Sequence, residues 1–213
     1  MHSYIAIEGP IGVGKTTLTR ALEEHMSAAI ILDAPANPFL EDFYKDRPGA
    51  AFKTQMYFLI SRFRQQIDIE KSLENSTHLV CDYLFAKDKI FAYLTLEDEE
   101  IVIYDKYFAA LSGYVRRPDW TVYLKAPRDV LLERVRRRNV EFEAKISDAY
   151  MDEVIEAYDH YFYHYKETPL LIVDTAEIDF VEDREELTAL MQRICAGNIQ
   201  GVQYFHPVRR RRK

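Results

Sequence analysis

The sequence predicts an α/β fold, a five-stranded parallel sheet with helices on both faces, and three observations predict it. Short apolar runs of strand length alternate with longer segments whose apolar residues recur at helical spacing. A glycine-rich turn follows the first such run and opens a helical segment. No internal repeat, low-complexity block or Pro/Gly/Ser linker interrupts the alternation, so the 213 residues read as one domain. Alternation of this kind buries a parallel sheet between helical layers, and such sheets take ligands beyond the carboxyl ends of their strands.

The elements follow in order. Ser3–Glu8 is the first strand, and a helix runs from Gly14 to about Ser27. Ala29–Leu32 is a second, short strand. From Gly49 to about Asn75, Phe52, Met56, Leu59, Phe63 and Ile67 recur three or four residues apart, which specifies one long helix. His78–Cys81 is a third buried strand, ending at Asp82. Two helices follow, the second near Glu97–Tyr114. Trp120–Leu124 is the fourth strand, and Pro127, with its fixed φ and missing N–H, suits the first position of the next helix. Met151, Val154, Ile155, Tyr158, Phe162 and Tyr165 mark a helix over Asp148–Lys166, which Pro169 stops. Leu170–Val173 is the fifth strand and Arg184–Cys195 the last helix. After Ala196 the pattern fades, so residues 1–197 are expected to form the domain and 198–213 a basic, disordered tail.

Charge narrows the class of partner. The chain has 28 Lys plus Arg against 35 Asp plus Glu, a net of −7. Five of the positive charges lie in Arg209–Lys213; without them residues 1–208 hold 23 against 35, a net of −12. An acidic body argues against a nucleic-acid polymer or an anionic membrane as partner, but not against a small phosphorylated ligand. Two cysteines, Cys81 and Cys195, cannot build a disulfide framework. The first residues show no secretory pattern, and no apolar run approaches the roughly 18 residues of a spanning helix. A cytoplasmic location is the expectation.

The strongest motif is Gly9-Pro-Ile-Gly12-Val13-Gly14-Lys15-Thr16-Thr17, a complete G-x-x-x-x-G-K-T between strand and helix. Its glycines let backbone N–H groups curl around phosphate oxygens, and the helix that follows turns its positive end toward the same anion. Lys15 is placed to reach the β- and γ-phosphates of ATP, and Thr16 to ligate Mg²⁺. A GTP-binding switch would carry N-K-x-D, but no Asn here precedes a Lys. Many hydrolytic relatives place a Glu after the acid that ends the third strand; this chain has Asp82-Tyr83. Asp82 can still hold Mg²⁺, and what remains is transfer to a bound acceptor, which needs a base, a lid and an acceptor pocket. The lid candidate spans residues 134–143 and begins Arg134-Val-Arg136-Arg137-Arg138, four guanidiniums in five residues, suited to clamping a phosphoryl group. An Arg run of this kind is otherwise a solvated helix face or a nucleic-acid patch.

Gln55 and Arg62 stand seven residues apart, two turns, on a face shared with Phe52 and with Phe58 or Leu59. Polar groups on an apolar stripe need partners if buried, and a flat amide and guanidinium beside aromatic rings suit a nucleobase edge.

Together these residues resemble the deoxynucleoside kinase family, and within it the bacterial deoxyguanosine/deoxyadenosine kinase branch. The likeness runs from about Ser3 to Val181. It rests on the phosphate loop, Asn37-Pro-Phe-Leu-Glu-Asp-Phe-Tyr44, Gln55 through Ser61-Arg62-Phe-Arg64-Gln65, Cys81-Asp82-Tyr83-Leu-Phe-Ala-Lys87-Asp88, Tyr123-Leu-Lys-Ala-Pro127, and Phe142-Glu143 before Ile146. The resemblance implies a P-loop kinase fold, a homodimer, and transfer of the γ-phosphoryl group of ATP to a deoxynucleoside 5′-hydroxyl. It implies Asp33 as general base in place of the usual Glu, in a shortened connection to Asn37, with a turn or capping Asp as the alternative. Tyr44 and Glu143 fall where the family holds the sugar 3′-hydroxyl. Gln55, Arg62 and Asp88 fall where it holds the base, an Arg–acid pair typical of members taking purines or deoxycytidine. A purine deoxynucleoside is therefore expected. Arg134 and Arg138 would stabilise the transferring group.

Two departures stand out. Tyr83 replaces the Arg that usually follows the strand-three acid, leaving Lys87 as the substitute cation. Val140 replaces the second Arg of the lid, where Arg136 or Arg137 would compensate. A thymidylate-type monophosphate kinase is the alternative, and it would need Asp-Arg after the third strand.

Overall fold

A computed structural model describes residues 3–33, 37–139, 146–178, 180 and 184–206. Glu143, Val140 and the basic run Arg209–Lys213 lie outside these described residues.

The chain alternates strand and helix as β1 (Ser3–Glu8), α1 (Lys15–Met26), β2 (Ala29–Ile31), α2 (Leu40–Phe43), α3 (Ala50–Asn75), β3 (His78–Cys81), α4 (Lys87–Thr95) and α5 (Asp98–Ser112). It continues with β4 (Trp120–Lys125), α6 (Arg128–Arg138), α7 (Asp148–Tyr163), β5 (Leu170–Asp174), α8 (Arg184–Cys195) and β6 (Val202–Phe205). All strands are parallel, in the order β2-β3-β1-β4-β5-β6. Strand β1 connects through α1 to β2 on one side while its neighbour β4 connects to β5 on the other, and this reversal opens a crevice at the carboxyl ends of β1 and β4.

Every residue of β1 is buried, as a strand covered on both faces must be. One side of the sheet packs Ile7, Val122, Leu124 and Val173 against Leu18 and Leu22 of α1, Leu131 and Val135 of α6, and Leu190 and Ile194 of α8. The other packs Ala6, Tyr123 and Leu170 against Tyr158 and Phe162 of α7 and Ile90 of α4. The long α3 covers β2 and β3 through Ile69 and Leu73, and joins α4 and α5 around Leu59, Phe85 and Tyr104. The Ser147 hydroxyl caps α7 through the N–H of Tyr150 at 3.1 Å, and Glu97 with Glu100 forms a capping box on α5.

The expectation of five strands and a tail from residue 198 falls one strand short. Residues 202–205 form β6, entered through Gly201 at φ +59° and paired in register from Leu170↔Val202 to Val173↔Phe205. Its sequence signal is weak because it is an edge strand. Only Phe205 packs into the core, while Val202 and Tyr204 are exposed. Pro127 also sits one residue earlier than expected, as the N-cap of α6. Among the described residues, no helix is long and apolar enough to cross a membrane.

Candidate active site

A cavity of about 790 Å³ opens at the carboxyl ends of the strands. Its donor end is the phosphate loop. A Cβ on Gly12, at φ +82°, would meet the carbonyl oxygen of Leu131 at 2.7 Å; one on Gly14, at φ +102°, would meet the Phe180 ring at 2.6 Å. Both positions demand glycine for conformation and for space. Gly14 caps α1 and has no side chain to occupy the first-turn N–H groups, which leaves them available to an anion. Lys15 Nζ spans the loop to the carbonyl oxygens of Gly9 at 2.7 Å and Pro10 at 3.1 Å. Burial, reinforced by the nearby Lys87 charge, lowers the Lys15 pKa to about 8 against the opposing pull of Glu8, Asp82 and Asp33. Thr16 donates its hydroxyl proton to Asp82 at 2.6 Å, and Thr16, Thr17 and Asp82 all line the cavity.

The acceptor end is a buried ionic network. Arg62 of α3, 3% exposed, donates from Nε and Nη2 to the two carboxylate oxygens of Asp33, each at 2.9 Å, and from Nη1 to Asp88. Lys87, at the start of α4, donates to Asp33 Oδ2 at 3.0 Å. Asp33 follows β2 closely, and its backbone N–H donates to Asp82, tying the base candidate to the metal candidate. Burial alone would raise the Asp33 pKa, but the Arg62 and Lys87 charges outweigh it and hold the carboxyl well below the usual range. Asp88 responds oppositely. Fully enclosed, it is pushed up to about 6 by burial, against the pull of Arg62. The Arg62 guanidinium also lies 4.7 Å from the centre of the Phe58 ring and 5.8 Å from that of Tyr83. Tyr83 thus backs the Arg62 guanidinium with its ring, and Lys87 is a second cation on Asp33.

Most residues singled out from sequence meet in this one cavity: Lys15, Thr16, Asp33, Tyr44, Gln55, Arg62, Asp82, Lys87, Arg134 and Arg138 line it. Two expectations need adjustment. Asp88 is not on the wall; it stands behind Arg62 and braces it. Arg134 reaches the cavity, but its guanidinium donates to the Thr175 hydroxyl at 3.0 Å and to the carbonyl oxygens of Thr175 and Ile178, each at 2.8 Å. It anchors the loop after β5 beside the phosphate loop, while Arg137 joins Arg138 on the cavity wall. Glu143 lies outside the described residues.

Glu8 was not anticipated. Completely buried at the end of β1, it accepts from Gly9 N–H at 2.8 Å, Leu84 N–H at 2.8 Å and the Tyr158 hydroxyl at 3.0 Å. One carboxylate thus joins the phosphate loop, the turn after β3 and helix α7. The available signal was an acid closing an otherwise apolar strand, which has to find partners.

A phosphate loop at the switch point, facing a carboxylate held by two cations, defines a P-loop phosphotransferase that delivers to a bound acceptor. The model of the deoxynucleoside kinase family matches residues 5–199. Deoxyguanosine kinase from Bacillus subtilis (strain 168) is 32% identical over 199 residues, covering 91% of this chain and 94% of the relative. Deoxyadenosine/deoxycytidine kinase from the same organism is 28% identical over 204 residues, covering 92% and 93%. Among solved structures, deoxyadenosine kinase from M. mycoides with dCMP and a flexible dCDP bound superposes with a TM-score of 0.78 at 22% identity. It covers 91% of this chain and 99% of that one. This chain belongs to the deoxynucleoside kinase family. It is an ATP-dependent phosphotransferase acting on a deoxynucleoside.

Proposed function

We propose that the acceptor is a purine deoxynucleoside, phosphorylated on its 5′-hydroxyl, with Asp33 as the base and ATP·Mg²⁺ as donor. The observation that carries this is the Asp33 carboxylate, lining the same cavity as Lys15 and Thr16 and held on two sides by Arg62 and Lys87. Of the about four acceptor positions on a carboxylate, three are taken by Arg62 and Lys87, which leaves one for a substrate hydroxyl. A carboxylate held so far below the usual range is a weak proton acceptor in the ground state. In a loose phosphoryl-transfer transition state the hydroxyl proton is released late, so orientation of the nucleophile matters more than base strength.

Lys15 and the first-turn N–H groups of α1 would bind the β- and γ-phosphates. Thr16 and Asp82, a hydroxyl and a carboxylate 2.6 Å apart on the cavity wall, suit a hard cation that takes few protein ligands. They would hold Mg²⁺, which when bound neutralises charge on the phosphate oxygens. Arg137 and Arg138 would contact the transferring group, with Arg134 keeping the loop after β5 in place. Gln55 and Arg62 would face the base, and Tyr44 the sugar.

Similarity to deoxyguanosine and deoxyadenosine kinases supports the purine preference. ADP release measured over the four common deoxynucleosides tests it: turnover above the no-acceptor blank is expected with deoxyadenosine or deoxyguanosine. Turnover with thymidine or deoxycytidine alone would overturn the preference, and turnover with none of the four would overturn the assignment.

A homodimer through α3 and α5 belongs to the same proposal. Ile60 and Ile67 on α3, and Ile103, Tyr107 and Tyr114 on and just beyond α5, form exposed apolar stripes on two adjacent helices. Ile67→Glu with Tyr107→Glu is expected to give a monomer in sedimentation velocity. With free cysteines at Cys81 and Cys195, the protein would work in the cytoplasm.

A further inference from the structure

We propose that Thr95 decides which hydrogen-bonding edge of the base is accepted, by fixing the orientation of the Gln55 amide. The role rests on the purine deoxynucleoside assignment above. Gln55 is 3% exposed and sits on the cavity wall between Thr54 and Phe58. A carboxamide presents a carbonyl oxygen on one side and an NH₂ on the other, and half a turn exchanges them with almost no change of shape.

The chemistry of its neighbour removes that freedom. Thr95, the last residue of α4, has its hydroxyl oxygen 2.7 Å from the carbonyl oxygen of Phe91, one turn earlier on the same helix. A carbonyl oxygen can only accept, so the single hydroxyl proton is directed there. The Thr95 oxygen then has lone pairs alone to offer, and it must accept from Gln55, whose Nε2 lies 3.1 Å away. The NH₂ is thereby turned toward Thr95 and the carbonyl oxygen toward the opposite side. Phe91 and Gln55 both line the cavity, and behind that wall a relay with one direction runs from the Gln55 amide through the Thr95 hydroxyl to the Phe91 carbonyl.

Purines differ in the property such an amide reads. Adenine carries a donating amino group beside an accepting ring nitrogen. Hypoxanthine, of nearly the same outline, carries an accepting oxygen beside a donating N–H, and guanine shares that pattern. An amide of fixed sense pairs with one pattern and meets the other donor to donor and acceptor to acceptor, a mismatch that a desolvated pocket penalises heavily. An amide free to rotate accommodates both.

The test is the ratio of kcat/KM for deoxyadenosine and deoxyinosine in the wild type, Thr95→Val and Thr95→Ser. The wild-type ratio is expected to depart from unity by at least about tenfold, the order expected when a buried polar group is left unpaired. Thr95→Val keeps the shape but cannot accept, and its ratio should fall to within about threefold of one through a gain on the disfavoured nucleoside. Thr95→Ser keeps the hydroxyl and should retain the wild-type ratio, with KM for ATP unchanged throughout. If Thr95→Val does not fold, Thr95→Ala poses the same question. A wild-type ratio near one, a hydroxyl-free variant with the wild-type ratio, or Thr95→Ser behaving like Thr95→Val would each overturn the proposal. Turnover with neither of these nor with deoxyguanosine would instead overturn the purine assignment itself.

Discussion

The two ends of the cavity face each other but are built in opposite ways. The donor end comes from one continuous stretch, Gly9 to Thr17, and its phosphate-facing groups are mainly backbone N–H with one cationic side chain, Lys15. The acceptor end comes from separate segments. Asp33, Arg62 and Lys87 are joined by ion pairs across 29 and 54 residues of chain, and Asp88 closes the network from behind. A site made of backbone needs the right φ values at two or three glycines. One made of buried charges needs every partner in place, because removing one strands the others. The donor end should therefore tolerate change in its surroundings, and the acceptor end should not.

Asp33→Asn makes the sharpest test. Loss of the proposed base should lower kcat by about 10²- to 10⁴-fold with little change in KM for ATP. Near wild-type turnover would show that the two ends are not divided by role in this way. Next comes Arg62→Met, which leaves Asp33 with only Lys87 and takes away the ion-pair partner of Asp88. Stability should fall by about 3–5 kcal/mol in denaturant titration, and KM for the deoxynucleoside should rise at least about tenfold. Adding Asp88→Leu to that variant should recover stability without recovering KM. Recovery of both would make the network structural alone.

Glu8→Gln probes the hinge between the ends. An amide offers one acceptor oxygen where the carboxylate offers two, so one of the three donors from Gly9, Leu84 and Tyr158 loses its partner. A loss of about 1–3 kcal/mol is expected, read from the denaturation midpoint.

The smallest effect concerns protons. With its pKa lowered to about 8, Lys15 is half deprotonated at pH 8, and a triphosphate bound there would restore its charge. Calorimetry in buffers of different ionisation enthalpy should then show uptake of up to about half a proton at pH 8 and almost none at pH 6.5. The same shift has a sign for folding. The native state binds fewer protons than the unfolded chain between about pH 8 and 10.5, so this group makes stability rise with pH across that window. Asp88, raised to about 6, acts the other way, its contribution falling as pH rises from about 4 to 6.

The contrast between the ends also explains what was legible in the sequence. The order of the first five strands and the whole phosphate loop could be read, because periodicity and a nine-residue motif are local properties. Gln55 and Arg62 could be picked out as polar groups on an apolar helical stripe. The bidentate grip of Arg62 on Asp33 could not, because it depends on how α3 lies against the end of β2. Asp88 was expected to touch substrate, yet packing puts it one layer back. Arg134 reads as a phosphate ligand within an arginine run, but only the position of the β5–α8 loop reveals the carbonyl oxygens it meets. Glu8 went unnoticed because an acid at a strand end carries no motif, and β6 because an edge strand with one packed residue has almost no pattern.

That last strand fixes where the molecule can be cut. β6 satisfies the outward N–H and C=O groups of β5 along four residue pairs, and the N–H of Leu170 donates to Gly201 at 2.8 Å. Trimming the chain near residue 197 would turn β5, with its buried Leu170, Leu171 and Val173, into an open border that invites pairing with another chain. Tags and fusions therefore belong beyond His206, where they extend the margin of the sheet without unzipping it.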